Sequence, residues 1–136
     1  MIQIIMGLKG SGKTKKLIDS VNQTAQEAQG SVVCIEYGSN LRYEIKSSVR
    51  LVDSKEYGIT NTDMLKGLLS GLHAGNYDIT NIYIDNLYKT IGADRKAGEE
   101  FILWCANFAK TNEMSITITV SDDPAQAAEA VKRYLV

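Results

Sequence analysis

Residues 7–14 read Gly7-Leu8-Lys9-Gly10-Ser11-Gly12-Lys13-Thr14, a full match to the GxxxxGK[ST] pattern that cradles nucleotide phosphates. The residue types suit that chemistry. Glycines at 7, 10 and 12 let the backbone fold tightly around an anion without Cβ clashes, so that successive N–H groups aim at one point. A helix beginning at the end of the loop adds the positive end of its dipole. Lys13 can reach the β and γ phosphates, and the Thr14 hydroxyl is placed to ligate Mg²⁺. Gly7, Lys9, Gly10, Ser11, Gly12, Lys13 and Thr14 are therefore the candidate nucleotide-binding residues, with Lys13 also a catalytic candidate, and the expected ligand is a nucleoside triphosphate, ATP with Mg²⁺.

A second group of candidates stands at strand ends. Tyr83-Ile84-Asp85 closes an apolar run with a carboxylate, as a Mg²⁺ site opposite Thr14 requires, directly or through water; the plainer reading is an Asp that starts a turn. Asn86 follows, where many ATPases place a Glu that orients water. Glu36, at the end of another apolar run, is the substitute base if its strand lies near that of Asp85, and otherwise a solvated strand-end Glu. Ser121 and Asp122 follow the last strand and could sense the γ phosphate, although Asp123-Pro124 already reads as the start of a helix. Arg95 and Lys96 lie in a polar, Gly-containing stretch where a mobile loop could deliver positive charge to a transition state; the simpler reading is solvated surface charge. His73 reads as a surface or cap residue, and the seven tyrosines are too dispersed for a stacking motif.

These residues need elements to position them. Ile2–Met6 is a short apolar strand, and Leu17, Ile18, Val21, Ala25 and Ala28 recur at helical spacing until Gly30. Val32–Glu36 is nearly continuous in apolar character, as in a parallel strand buried on both faces, while Val49–Val52 carries a charge that suits a sheet edge. Met64, Leu65, Leu68, Leu69 and Leu72 mark a helix after Asn61 or Thr62, despite Gly67 and Gly71. A strand over 79–84, a helix from about Asp94 through Phe101, Trp104, Cys105 and Phe108, and an alternating strand over 116–120 follow. A last helix is expected from Asp123-Pro124 to near Tyr134. Strands alternating with helices imply a three-layer α/β fold of the P-loop NTPase type: a mainly parallel five-stranded sheet with helices on both faces. Ligands of such sheets bind beyond the carboxyl ends of the strands, which puts the glycine-rich loop, Glu36, Asp85 and Ser121 on one rim.

With 136 residues the chain is expected to form a single nucleotide-binding domain over 1–136. A net charge of −1 and a pI near 5.8 provide no basic field, so general nucleic-acid binding is not expected. Cys34 and Cys105 lack metal-ligand spacing and read as buried thiols of a reducing compartment. No apolar run approaches a membrane span and no leader pattern opens the chain, so a cytoplasmic location is expected.

Several nucleotide-binding classes are disfavoured. No NKxD or DxxG follows the loop, as a regulatory GTPase requires. Leu69-Ser70-Gly71 lies inside an apolar helix, unlike a transporter-ATPase signature. The segment Gly7–Ile18 and the strand ending at Asp85 resemble parts of the thymidine-kinase and RecA-like branch, which implies that the strand over 116–120 lies between the loop strand and the Asp85 strand. The four-Cys zinc lobe of those kinases has no counterpart in a chain with two cysteines. Over nearly its whole length the chain resembles a group of small bacterial P-loop proteins often labelled "twitching motility protein PilT". That resemblance rests on Gly7–Asp19, on Ile82–Asp85, and on the last strand leading into Ser121-Asp122-Asp123. It implies a stand-alone ATP-binding domain rather than a pilus-retraction motor, whose histidine box a chain with His73 alone does not reproduce. The expected function is a slow or partner-activated ATPase, with a protein partner or a second copy of the chain completing the site. The alternatives are a nucleoside or small-metabolite kinase and a non-hydrolysing nucleotide sensor.

Overall fold

A computed structural model describes residues 1–136. Its elements run β1 (Ile2–Gly7), α1 (Lys13–Glu27), β2 (Ser31–Glu36), β3 (Arg50–Asp53), α2 (Thr62–Gly75), β4 (Ile79–Ile84), α3 (Leu87–Ile91), α4 (Arg95–Thr111), β5 (Ser115–Ser121) and α5 (Glu129–Lys132), with a 3₁₀ turn at Pro124–Gln126 before α5. The five strands form one sheet in the order β1-β5-β4-β2-β3, and every pairing is parallel. β5 therefore separates β1 from β4, and β3 is an edge strand.

Period-two alternation sorts the side chains between two cores. Val33, Ile35, Ile82, Ile84, Ile116 and Ile118 face the layer that holds α2 to α5, where Leu65, Leu69, Leu87, Phe101, Ile102 and Val131 cover them. Val32, Cys34 and Tyr83 point the other way and meet Leu17 and Val21 of α1, together with Leu41, Ile45 and Val49 of the β2–β3 connection. Helices on both faces of the sheet make the fold a three-layer α/β one. Both cysteines are free and buried.

The helix starts follow ordinary capping chemistry. Asn61 accepts the Met64 amide at 2.8 Å to begin α2, and Asp94 accepts the Ala97 amide at 3.1 Å to begin α4. Gly67 and Gly71 lie on the solvent side of α2, so their low helical preference is opposed by burial of Leu65 and Leu69 on the other side.

Two elements differ from the sequence reading. The expected final helix is broken: Asp123 accepts the Ala125 amide and starts only a 3₁₀ turn, and Ala127 and Ala128 are then extended. Tertiary contacts explain the break. The extended pair lets Val131 bury and brings the C-terminus beside β1, where Ile4 N donates to Tyr134 O at 2.8 Å and Val136 N donates to Ile4 O at 3.0 Å. An otherwise open edge is thereby covered. The short α3 was not expected, because five residues are too few to show a period. No helix is long and apolar enough to cross a membrane.

Candidate functional site

The carboxyl ends of the parallel strands gather the candidates on one rim, with Gly7 registered against Ser121. Between β1 and α1 the chain turns through Gly10 and Gly12, at φ of 86° and 85°, in the left-handed region that favours glycine. At Gly7 the requirement is one of space: a Cβ there would collide with the Ser11 hydroxyl. Ser11 N donates to Leu8 O at 3.1 Å inside the loop, and Lys16 N donates to Gly12 O. The amides of Gly10, Gly12, Lys13, Thr14 and Lys15 donate to no protein acceptor. They are a run of free donors at the start of a 15-residue helix, where the partial positive charge of the helix also lies.

Lys13 is buried although it is charged. Its stem runs under the loop and Nζ donates to Leu8 O at 3.2 Å, an arrangement that holds the ammonium against the loop. The loop opens into a cavity of about 360 Å³, walled by Lys9, Gly10, Gly12, Lys13, Thr14, Lys15, Asn86, Thr119 and Ser121, with no hydrophobic residue among them. Amide donors, Lys9 and Lys13 border that space without a carboxylate in its wall, while the Lys15 ammonium is paired with Asp19 at 2.9 Å. Such a cavity suits a multiply charged anion.

Across 71 residues of chain, the Thr14 hydroxyl donates towards both oxygens of Asp85, at 3.4 and 3.3 Å. Asp85 Oδ1 also accepts a hydrogen bond of 2.7 Å from Thr119 Oγ1, which in turn accepts the Asn86 amide at 2.6 Å. Asn86 stands in the left-handed region at φ 52°, and the Thr119 contact fixes that turn. One buried hydroxyl from β5 thus ties the carboxylate to the turn that follows it. No cluster of three His, Cys, Asp or Glu side chains is present to form a protein-only metal cage. A hydroxyl and a carboxylate facing each other beside an anion cavity fit Mg²⁺, which keeps waters and takes phosphate oxygens as further ligands.

A smaller adjoining cavity of about 160 Å³ lies on the other side of this pair, walled by Thr14, Glu36, Tyr37, Asn40, Leu41, Asp85, Asn86 and Lys89. β2 and β4 are neighbours, so Glu36 does lie near Asp85. Its two oxygens accept the backbone amides of Asn40 at 3.0 Å and Leu41 at 2.9 Å. These bonds stabilise the carboxylate form, but burial, with help from Asp85 and Asp53, outweighs them and raises the Glu36 carboxyl above its ordinary value. Glu36 holds the turn after β2 while facing the same space as Asp85. Burial, followed by the charges of Asp85 and Glu36, also pushes the Cys34 thiol up to about 12.

Ser121 and Asp122 part company. Ser121 lines the larger cavity, whereas Asp122 turns to Arg95, with Nε at 2.8 Å and Nη2 at 2.7 Å, and accepts the Tyr88 hydroxyl at 3.1 Å. The Arg95 hydrogen bonds are the main cause of the Asp122 carboxyl falling to about 2. Burial is the leading cause of the Tyr88 phenol rising to about 12, with Asp122 adding to it. Arg95, which reads in the sequence as either a mobile-loop cation or a solvated surface charge, is the first residue of the helix expected from about Asp94 and is held by Asp122 in a two-point ion pair. His73 sits in the last turn of α2, its ring against Tyr77 and Phe108 at 5.4 and 6.0 Å, and takes no part in the rim.

Thr119 and Lys15 are the wall residues that sequence reasoning passed over, and Asn86, noted only as standing where a Glu could orient water, also lines the wall. The alternation Thr117, Thr119 beside Ile116, Ile118 and Val120 marked a strand, and a polar residue two positions before the rim was the available signal for Thr119. No protein-family model matches the chain, and no curated protein matches it.

Proposed function

We propose that the chain is a P-loop domain that binds Mg²⁺–ATP and hydrolyses it slowly or on activation by a partner. The observation that carries this reading is the cavity in which five free backbone amides, Lys9 and Lys13 lie beside the Thr14–Asp85 pair. The amides of Gly10 and of residues 12–15 bind the phosphate oxygens, and Lys13 balances the charge that builds on the β and γ groups during transfer. Thr14 and Asp85 would hold the metal, which when bound would neutralise phosphate charge at this site. Thr119 fixes Asp85 from behind. Slow turnover follows from the residues around this pair: Asn86 cannot accept a proton from water, and the carboxylate of Glu36, the candidate base, is shared with two backbone amides.

Thermal melts with and without Mg²⁺–ATP test the binding. At a hundred times Kd the nucleotide should stabilise the protein by about 2.7 kcal/mol, which raises Tm by about 9 °C for a chain of this length. No shift at millimolar Mg²⁺–ATP, or an equal shift in Lys13→Ala, refutes the proposal.

A second reading, a small-metabolite kinase, is favoured by the adjoining cavity alone. It shares Thr14 and Asn86 with the larger one and adds Lys89 and Tyr37 beside Glu36. That is room for an acceptor hydroxyl next to a carboxylate that could take its proton. ADP formation that rises several-fold with one member of a panel of nucleosides and small hydroxylated metabolites, with the phosphorylated product detected by mass spectrometry, would establish it. Turnover indifferent to every member of the panel leaves the ATPase.

A further inference from the structure

We infer that the nucleotide site selects the polyphosphate and its metal and does not select the base, so that its substrate class is any Mg²⁺–nucleoside triphosphate. This inference rests on the reading just proposed and specifies what that site recognises. Base selection needs a flat apolar or aromatic face, or buried polar groups that pair with the base edge and are left unpaired by the wrong one. The nine residues of the cavity wall include no hydrophobic side chain, its charged members are all lysines, and its one carboxamide, Asn86, is only partly buried.

The aromatic side chains that could stack are committed elsewhere. Tyr83 is buried under α1 with its hydroxyl at 3.1 Å from Ser20 Oγ and 2.7 Å from Thr24 Oγ1. Tyr88 is bonded to Asp122. Phe101, Trp104 and Phe108 stack on one another along α4. Tyr37 belongs to the smaller cavity, with the Lys55 ammonium over its ring at 5.8 Å. The one large apolar side chain exposed on the loop is Leu8, and an aliphatic surface meets purines and pyrimidines without distinguishing their edges. Apart from the partly buried Asn86 carboxamide, the donors in the wall suit phosphate: free amides, the Lys9 and Lys13 ammonium groups, and the hydroxyls of Thr14 and Ser121. Stacking on an aromatic face is worth roughly tenfold or more in affinity, and the wall offers none. A base in this site therefore extends past the lysines into solvent, and affinity follows phosphate count.

The test is calorimetric titration of the whole protein, with saturating Mg²⁺, using ATP, GTP, CTP, UTP and inorganic tripolyphosphate as separate probes. The four nucleotides should bind with Kd values within fivefold of each other, and tripolyphosphate should displace ATP with an affinity within tenfold of that of ATP. Lys9→Ala, at an exposed position in the wall, should weaken all four nucleotides by the same factor, because Lys9 meets phosphate and not base. A spread greater than fivefold among the nucleotides overturns the inference while leaving nucleotide binding intact. Failure of tripolyphosphate to displace ATP overturns it too, as does a Lys9→Ala loss confined to one nucleotide. If none of the five probes binds, the parent reading falls and this one falls with it.

Discussion

Replacing Thr119 by Val keeps the shape of a fully buried side chain and removes only its hydroxyl, so the substitution isolates what that oxygen does. In the wild-type chain the hydroxyl donates to Asp85 at 2.7 Å and accepts the Asn86 amide at 2.6 Å. A hydrogen bond to a charged group contributes about 1.5–3 kcal/mol, and an amide left without an acceptor costs about 1–3 kcal/mol when buried. The Asn86 turn is only partly buried, and the added methyl of Val regains about 0.8 kcal/mol, so a net loss of about 2–3 kcal/mol is expected. Unfolding entropy near 2.1 cal/mol/K per residue amounts to about 0.3 kcal/mol per kelvin for this chain, and Tm should fall by about 7–10 °C. Differential scanning calorimetry reads that shift. Thr117→Val is the matched control: it is buried on the same strand and face but registers with Tyr83, short of the carboxylate, and its Tm should move by less than about 3 °C. On the proposal that Asp85 holds Mg²⁺, loss of the hydroxyl that orients it should also weaken Mg²⁺-dependent nucleotide binding by about tenfold. Equal Tm changes in the two variants, or a Thr119→Val protein with unaltered Mg²⁺ dependence, would refute the role given to this hydroxyl.

Other perturbations separate structural from chemical roles. Glu36→Gln presents one oxygen and one NH₂ group to two backbone amides, so it should lower stability by about 1–3 kcal/mol, readable by urea titration; a residue acting only as a base would leave the midpoint unchanged. Asp122→Asn removes a carboxyl held at about 2 instead of 3.8. The depressed folded value means that its contribution is fully present above the ordinary value and disappears as pH falls through about 2, so wild type should exceed the variant in stability at neutral pH and converge with it in strong acid. A difference that persists unchanged at about pH 2 would contradict the Arg95–Asp122 pairing. Gly12→Ala places a Cβ on a residue at φ 85° with open space around it; backbone strain alone should cost about 1–2 kcal/mol, measurable as a Tm loss of about 3–7 °C.

The strands and α1, α2 and α4 were legible because each carries its own repeat. Val32–Glu36 is apolar on both faces because both faces are covered, and Leu65, Leu69 and Leu72 keep helical spacing through two glycines. Where the local pattern misled, distant contacts had intervened. Asp123-Pro124 looks like the start of a long helix, but the chain beyond it must extend through Ala127 and Ala128 to lie against β1. Arg95 looked free because its partner lies 27 residues away. Glu36 looked like a base or a solvated acid, and its engagement with Asn40 and Leu41 depends on the shape of a loop with no periodicity.

The sequence by itself determined the glycine-rich loop, the helix that follows it and the alternation that makes an α/β chain, because these are set by neighbours within a few residues. It also marked the strand ends that carry Glu36, Asp85 and Ser121. Only the tertiary structure decided that Asp85 faces Thr14, that Thr119 stands behind Asp85, and that Asp122 is occupied by Arg95. Parallel strands joined by long crossovers can be ordered in many ways with the same local pattern. The order β1-β5-β4-β2-β3 is fixed by the joint burial of two cores, and it brings a hydroxyl and a carboxylate 71 residues apart in the chain within 3.3 Å of each other.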